Sequence, residues 1–222
     1  MKKSLRVFLD HLIDYAGLFP PAALSMEHAV RNYARYRNGE YAFALGPFVV
    51  PKDRVDEVPK DFPLTILGVD EVKDLGAACD HAFVEITDNT LIPELARRGL
   101  RAKIRTGGDA VPSVEHVAEF LRACNSAGVA FKATAGLHHP IRNGAMHGFL
   151  NVFVAAAIID HADEILREED ASAFAFTDDS VSWRGHAITT EQLANTRKNF
   201  ALSFGSCSFE EPIDDLKALG WL

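Results

Sequence analysis

Four charged residues recur at one parity along three apolar segments. In Phe83-Val84-Glu85-Ile86-Thr87, Val84 and Ile86 hold the apolar phase, and Phe83, Glu85 and Thr87 the other. In Ala102-Lys103-Ile104-Arg105, Ala102 and Ile104 alternate with Lys103 and Arg105. In Phe131-Lys132-Ala133-Thr134, Phe131 and Ala133 alternate with Lys132 and Thr134. If these segments are neighbouring strands whose apolar phase packs on helices, Glu85, Lys103, Arg105 and Lys132 all point into one interior. Burying charge is costly unless the charge is paired or used. A structural ion-pair network, with Glu85 neutralising one cation, is the bland reading. It leaves a surplus of positive charge that a carboxylate or phosphate would satisfy.

The segments that follow add candidate binding groups. Thr106-Gly107-Gly108 lets backbone approach a ligand closely. Ala135-Gly136-Leu137-His138-His139-Pro140-Ile141-Arg142 brings two imidazoles and the Arg142 guanidinium to the same rim. Near the end of the chain, Gly205-Ser206-Cys207-Ser208-Phe209 precedes a helix. There Gly205, Ser206 and Ser208 could present N–H groups to an anion, or form a plain capped turn. Asp14 and Tyr15, ahead of Gly17, are lesser candidates.

The chemistry these groups suit is Schiff-base catalysis. Desolvation and neighbouring cations favour a neutral amine. A neutral amine attacks a carbonyl and forms an iminium that serves as an electron sink. Lys132 is the expected nucleophile. Lys103, Arg105 and Thr134 would hold the substrate, and Glu85, His138 or His139 would move protons. Phe131-Lys132-Ala133-Thr134-Ala135-Gly136 resembles the strand-six Lys-x-Ser/Thr-x-Gly segment of deoxyribose-phosphate-aldolase-type class I aldolases. That resemblance, confined to those residues, implies that Lys132 forms the Schiff base. No cofactor or metal is expected for such a lyase. One alternative is a metal-dependent hydrolase or lyase using Glu85, His138 and His139, with His147. Another is a thiol enzyme using Cys207, activated by a helix N-terminus. A third is a non-catalytic binding protein for an anionic metabolite, which would tolerate Lys132→Arg.

Short apolar runs alternate with helical patterns along the chain, the signature of βα units and a parallel sheet. Strands are expected at Leu12–Phe19, Ala42–Val50, Leu64–Val69, Ala82–Thr87, Ala102–Thr106, Val129–Thr134, Ala173–Thr177 and Ala201–Phe204. Helices are expected at Met26–Tyr36 behind Ser25, Glu71–Cys79, Thr90–Arg98 and Ser113–Ser126. Others fall at Met146–His161, at Thr190–Asn199 capped by Thr190, and at Pro212–Leu219. The seventh unit is irregular, because Ser180–Ile188 reads as a hairpin returning on Ala173–Thr177. Eight parallel strands with intervening helices would close a (β/α)8 TIM-barrel-like domain spanning residues 1–222. An open doubly wound parallel sheet is the alternative. No Gly-x-Gly-x-x-Gly follows the first strand, which argues against a dinucleotide fold.

Composition sets the outer limits. The 222 residues, 48% hydrophobic, can bury a core without staples. A net charge of −8 with no basic run argues against nucleic acid. Arg6 and Asp10 interrupt the only signal-like stretch, and Gly148–Ile159 is too short to span a bilayer. Cys79, Cys124 and Cys207 are scattered and odd in number, which fits a reducing, cytoplasmic setting. A small anionic metabolite is the expected partner, and a homo-oligomer is compatible with such a barrel.

Overall fold

The computed structural model describes residues 1–67, 83–108 and 111–222. The helix expected over Glu71–Cys79, with Cys79 itself, lies outside them. Seven strands form one parallel sheet: β1 (Ile13–Tyr15), β2 (Leu45–Pro51), β3 (Leu64–Leu67), β4 (Phe83–Glu85), β5 (Arg101–Arg105), β6 (Phe131–Thr134) and β10 (Ala201–Ser206). Their spatial order is β3-β2-β1-β10-β6-β5-β4. β1 to β2 to β3 and β4 to β5 to β6 to β10 all step the same way between neighbours, and only the passage from β3 to β4 goes from one edge of the described sheet to the other. Right-handed crossovers then put the helices on one face.

The free face is curled inward. β6 and β3 are four strand spacings apart, roughly 19 Å in a flat sheet. Yet Lys132 Nζ on β6 lies 3.3 Å from Thr65 Oγ1 on β3 and 4.8 Å from the centre of the Phe83 ring on β4. The two edge strands of the described sheet therefore both reach one lysine, and the sheet is a curled half-barrel.

The seventh of the eight expected parallel strands, Ala173–Thr177, is not in this sheet. β7 (Phe174–Phe176) pairs antiparallel with β8 (Ser180–Trp183), and β8 with β9 (His186–Thr189). The Asp178-Asp179 turn sends the chain straight back, so β7 satisfies its ladder locally instead of crossing over.

Local signals place the helices. Ser25 caps α2 (Met26–Arg37) by accepting from His28 N, and Ser113 caps α4 (Val114–Ala127) the same way from His116 N. Gly128, at φ 66°, ends α4 in the left-handed conformation. α3 (Ile92–Arg97) is shorter than expected because Asp88 first caps a tight turn at Asn89–Leu91. α5 (Phe149–Ala157) also shortens. Its buried Asn151 donates to Ile165 O and Glu168 O at 2.7 and 2.8 Å, tying it to α6 (Ala162–Arg167). α7 (Thr190–Asn199) is capped by Thr189, not Thr190, in a reciprocal box with Gln192. α8 (Glu210–Ala218) closes the chain. One helix escapes the strand-first reading: α1 (Lys3–Leu9), whose Leu5, Phe8 and Leu9 are buried.

The core lies between sheet and helices. Tyr15 and Phe48 meet Tyr33 of α2 at 6.2 and 5.4 Å between ring centres. Phe131 meets Phe120 of α4 at 5.5 Å and Phe153 of α5 at 6.0 Å, and Phe204 meets Phe149 at 5.2 Å. These contacts fix the parity. With Tyr15, Phe131 and Phe204 committed to the helices, the alternate residues Asp14, Lys132, Ser203 and Gly205 face the curled interior. Among the described residues, no helix is long and apolar enough to cross a membrane.

Candidate active site

Two rows of side chains line the interior at the C-terminal half of the strands. In one, Glu85, Lys103 and Lys132 are register partners on β4, β5 and β6. In the other, Arg105, Thr134, Gly205 and Asp14 are register partners on β5, β6, β10 and β1. Register partners in a parallel sheet point to the same side. Lys103 and Lys132 thus share a face, as the alternation of Ala102, Ile104, Phe131 and Ala133 implies.

The charged groups divide into two clusters. Glu85 takes Lys103 Nζ on Oε2 and Arg105 Nε on Oε1, each at 2.9 Å. Burial alone would raise the Glu85 carboxyl, but hydrogen bonds from Lys103 and Arg105 outweigh it and hold the group below the ordinary carboxylate range. Arg105 is the outermost member, its side chain 51% exposed. The terminal nitrogen Nη1 lies under the Gly107–Gly108 turn.

The second cluster is deeper. Lys132 Nζ donates to Asp14 Oδ2 at 2.5 Å, and the two side chains are 6% and 1% exposed. Thr65 Oγ1 stands 3.3 Å from the ammonium and 3.5 Å from Asp14 Oδ2. The second carboxylate oxygen, Asp14 Oδ1, is buried without a hydrogen-bond partner among the described residues. It faces Gly46, where a Cβ would stand only 2.4 Å away. Gly205 is also small where size matters. A Cβ there would meet nothing nearer than Thr134 Oγ1 at 3.6 Å, so the row between Thr134 and Asp14 has room for at least a methyl group. A buried carboxylate oxygen with no donor is costly, and such groups are commonly met by a ligand, an ion or water.

The loops are built differently from the expectation. Thr106 Oγ1 donates to Ala135 O at 2.5 Å, and a Cβ on Gly107 would come within 2.5 Å of Gly136 Cα. The loops after β5 and β6 are therefore packed backbone to backbone, and Gly136 supplies the positive φ of 76° this requires. His138 and His139 turn away from Lys132. Their Nδ1 atoms bond Glu211 Oε2 at 2.9 Å and Asp215 Oδ2 at 2.6 Å, both on α8. His147 is buried, with Nε2 donating to Pro112 O at 2.8 Å, and Arg142 Nη1 stands 3.4 Å from His147 Nδ1. Burial lowers the His147 pKa, and the Arg142 charge adds to the effect. The imidazoles and Arg142 thus serve the wall around the site. The four residues of the metal alternative, Glu85, His138, His139 and His147, have separate partners and are not brought together.

The last loop is likewise engaged. Ser208 Oγ accepts from Glu211 N, Ser208 N donates to Ser206 Oγ, and Glu210 and Glu211 fill the first turn of α8. Those carboxylates oppose an anion at this helix end. Cys207 is half-buried, and burial pushes its thiol up, opposite to the activation a thiol enzyme needs. Cys124 is a core residue whose thiol is pushed up to about 12.

Asp14, Thr65 and Gly46 are the site members that sequence reasoning underrated or missed. The signal for Asp14 was present: a carboxylate between Ile13 and Tyr15, at the same parity as Lys132 in its own strand. Comparison of the chain with protein-family models, with curated proteins and with solved structures finds no match.

Proposed function

We propose that the chain is a small-molecule lyase of the aldolase type that acts on an anionic carbonyl compound through Lys132. In this reading the curled sheet serves as a (β/α)8-type barrel whose seventh unit has become a hairpin, in a cytoplasmic setting. The observation that carries the reading is the buried Lys132–Asp14 pair. A lysine and a carboxylate in contact away from water can exchange one proton and become a neutral amine and a neutral acid.

The chemistry then balances within the chain. The Lys132 amine adds to the carbonyl carbon, and an N–H proton ends on the former carbonyl oxygen. Asp14 gives its proton to the departing hydroxyl, which leaves as water. An iminium and an Asp14 carboxylate result. Cleavage of the carbon–carbon bond sends its electron pair into the iminium, forming an enamine, while Asp14 accepts the proton of the substrate hydroxyl. Protonation of the enamine carbon and addition of water release the second product and restore the amine. Asp14 takes the proton-moving role that the sequence had suggested for His138 or His139.

Borohydride trapping with a panel of aldehydes, oxo-acids and sugar phosphates, read by peptide mapping, tests this. The expected result is a secondary-amine adduct on Lys132, absent from Lys132→Arg. No adduct across the panel, or labelling confined to surface lysines, would overturn it. The same cations also suit a binding protein for an anionic metabolite, and ligand binding without turnover in the native chain, kept in Lys132→Arg, would mark that case.

A further inference from the structure

Resting on the Lys132 reading above, we infer that the substrate carries a carboxylate directly on its reacting carbonyl, as an α-oxo acid does, rather than a phosphate ester. The Glu85 cluster already displays a carboxylate seat. One planar carboxylate is held with Oε2 on Lys103 Nζ and Oε1 on Arg105 Nε, both at 2.9 Å. Neither cation is exhausted by that contact. Among the described residues only the Nε–H of Arg105 is used, which leaves the terminal guanidinium N–H groups free beneath the Gly107–Gly108 turn.

Charge decides between the two anion classes. Among the described residues, the C-terminal half of the interior holds the cations Lys103, Arg105 and Lys132 and the carboxylates Asp14 and Glu85. Their sum is one positive charge. Arg101, at the N-terminal end of β5, packs on Phe83 and pairs with none of them. Iminium formation leaves the sum in place, because the lysine nitrogen stays positive while Asp14 returns to carboxylate. One carboxylate cancels that surplus. A phosphate monoester, at roughly −1.5 to −2 near neutrality, would overshoot it inside a site with two fixed carboxylates.

Distance points the same way. Lys103 and Lys132 are register partners on adjacent strands, with backbones on the order of 5 Å apart. An anion on Lys103 therefore lies beside the carbon that Lys132 attacks. An α-oxo acid has its carboxylate on that very carbon. A phosphate ester carries its charge several bonds away. The remaining substituent of the carbonyl can extend over Gly205 toward the Asp14 carboxylate on the adjoining strand.

The test is reductive trapping with cyanoborohydride at matched concentrations of pyruvate, methyl pyruvate and a triose phosphate. Pyruvate is expected to label Lys132 about tenfold faster than the other two, the worth of one charge-assisted hydrogen bond. The preference over the ester should collapse in Arg105→Met and strengthen in Glu85→Gln, which removes the internal competitor, whereas the gap to the triose phosphate should narrow in Glu85→Gln because a site with one carboxylate fewer tolerates more negative charge. A merely structural role for Glu85 would not produce that gain. Equal labelling by pyruvate and its ester, or faster labelling by the triose phosphate, would overturn the carboxylate assignment and leave the lysine chemistry standing. If no probe labels Lys132, the lysine reading fails by itself. Calorimetry with oxamate, which keeps the carboxylate and lacks a reactive ketone, then decides. Oxamate binding no tighter than inorganic phosphate would end the carboxylate assignment as well.

Discussion

Asp14 and Lys132 bury opposite charges in contact, so each is tolerable only while the other is present. Removing one partner leaves an uncompensated buried charge, which typically costs ~3–5 kcal/mol. Lys132→Met and Asp14→Leu should each lower stability by that order, and the double variant should lose far less than their sum. Urea denaturation of the four proteins measures the coupling, and additive losses would mean that the two groups do not share one buried pair. Much of this site could be read from sequence. Alternation with Val84, Ala102, Ile104, Phe131 and Ala133 sets the directions of Glu85, Lys103, Arg105 and Lys132, because a strand fixes side-chain direction every second residue. Asp14 was harder, since its partner lies 118 residues away and its strand is only three residues long. His138 and His139 were misread for a physical reason. Loop residues have no parity, and only packing against α8 tells which way they turn.

The hairpin that replaces the seventh unit hangs on one buried carboxylate. Glu168 accepts from Trp183 Nε1 at 3.0 Å and from both Nε and Nη2 of Arg184, at 2.6 and 3.0 Å. Burial would raise this carboxyl, but the Arg184, Asp170 and Trp183 hydrogen bonds hold it below its ordinary value of 4.5. A carboxylate depressed on folding adds stability that is complete above the ordinary value and fades as pH falls through the folded one. Protection of the Ser180–Thr189 amides, taken relative to their intrinsic exchange rates, should therefore fall below about pH 4.5 in the native chain. Glu168→Gln should loosen the same amides at neutral pH, by roughly 2 kcal/mol, and flatten that acid dependence. Unchanged exchange in the variant would show that something else fastens the hairpin. At this scale the alternation of apolar and polar residues revealed most elements, and the Ser180–Ile188 hairpin among them. The missed helix, α1, has Leu5, Phe8 and Leu9 at helical spacing, with Leu12 continuing the phase just beyond it, but a basic start followed by a few apolar residues is shared with signal-like segments.

At the level of the whole molecule, β1 pairs with β10, so the first strand of the chain closes against its last. Arg197 secures that seam from α7. Its buried guanidinium donates to Phe8 O at 2.9 Å, to Asp10 O at 3.1 Å and to Ala201 O. Arg197→Met would leave three carbonyls without this donor, and a loss of ~3 kcal/mol or more is expected in thermal or urea unfolding. A near-neutral effect would mean that water or backbone shifts satisfy those carbonyls. The α/β class and the parallel pairing followed from alternation alone. The parallel strand expected at Ala173–Thr177 did not form, because that segment carries the same apolar signature in either sheet and its pairing is decided by the turn that comes after it. The seam has a consequence for how the chain could be rewired. Ser4 N donates to Thr177 O, and Trp221 meets Phe176 edge-on at 5.7 Å, so Ser4 and Trp221 both settle at the end of β7. Joining them there and opening the chain at the exposed Gly39–Glu40 turn would give a circular permutant that threads the same sheet and carries Lys132 to the same interior.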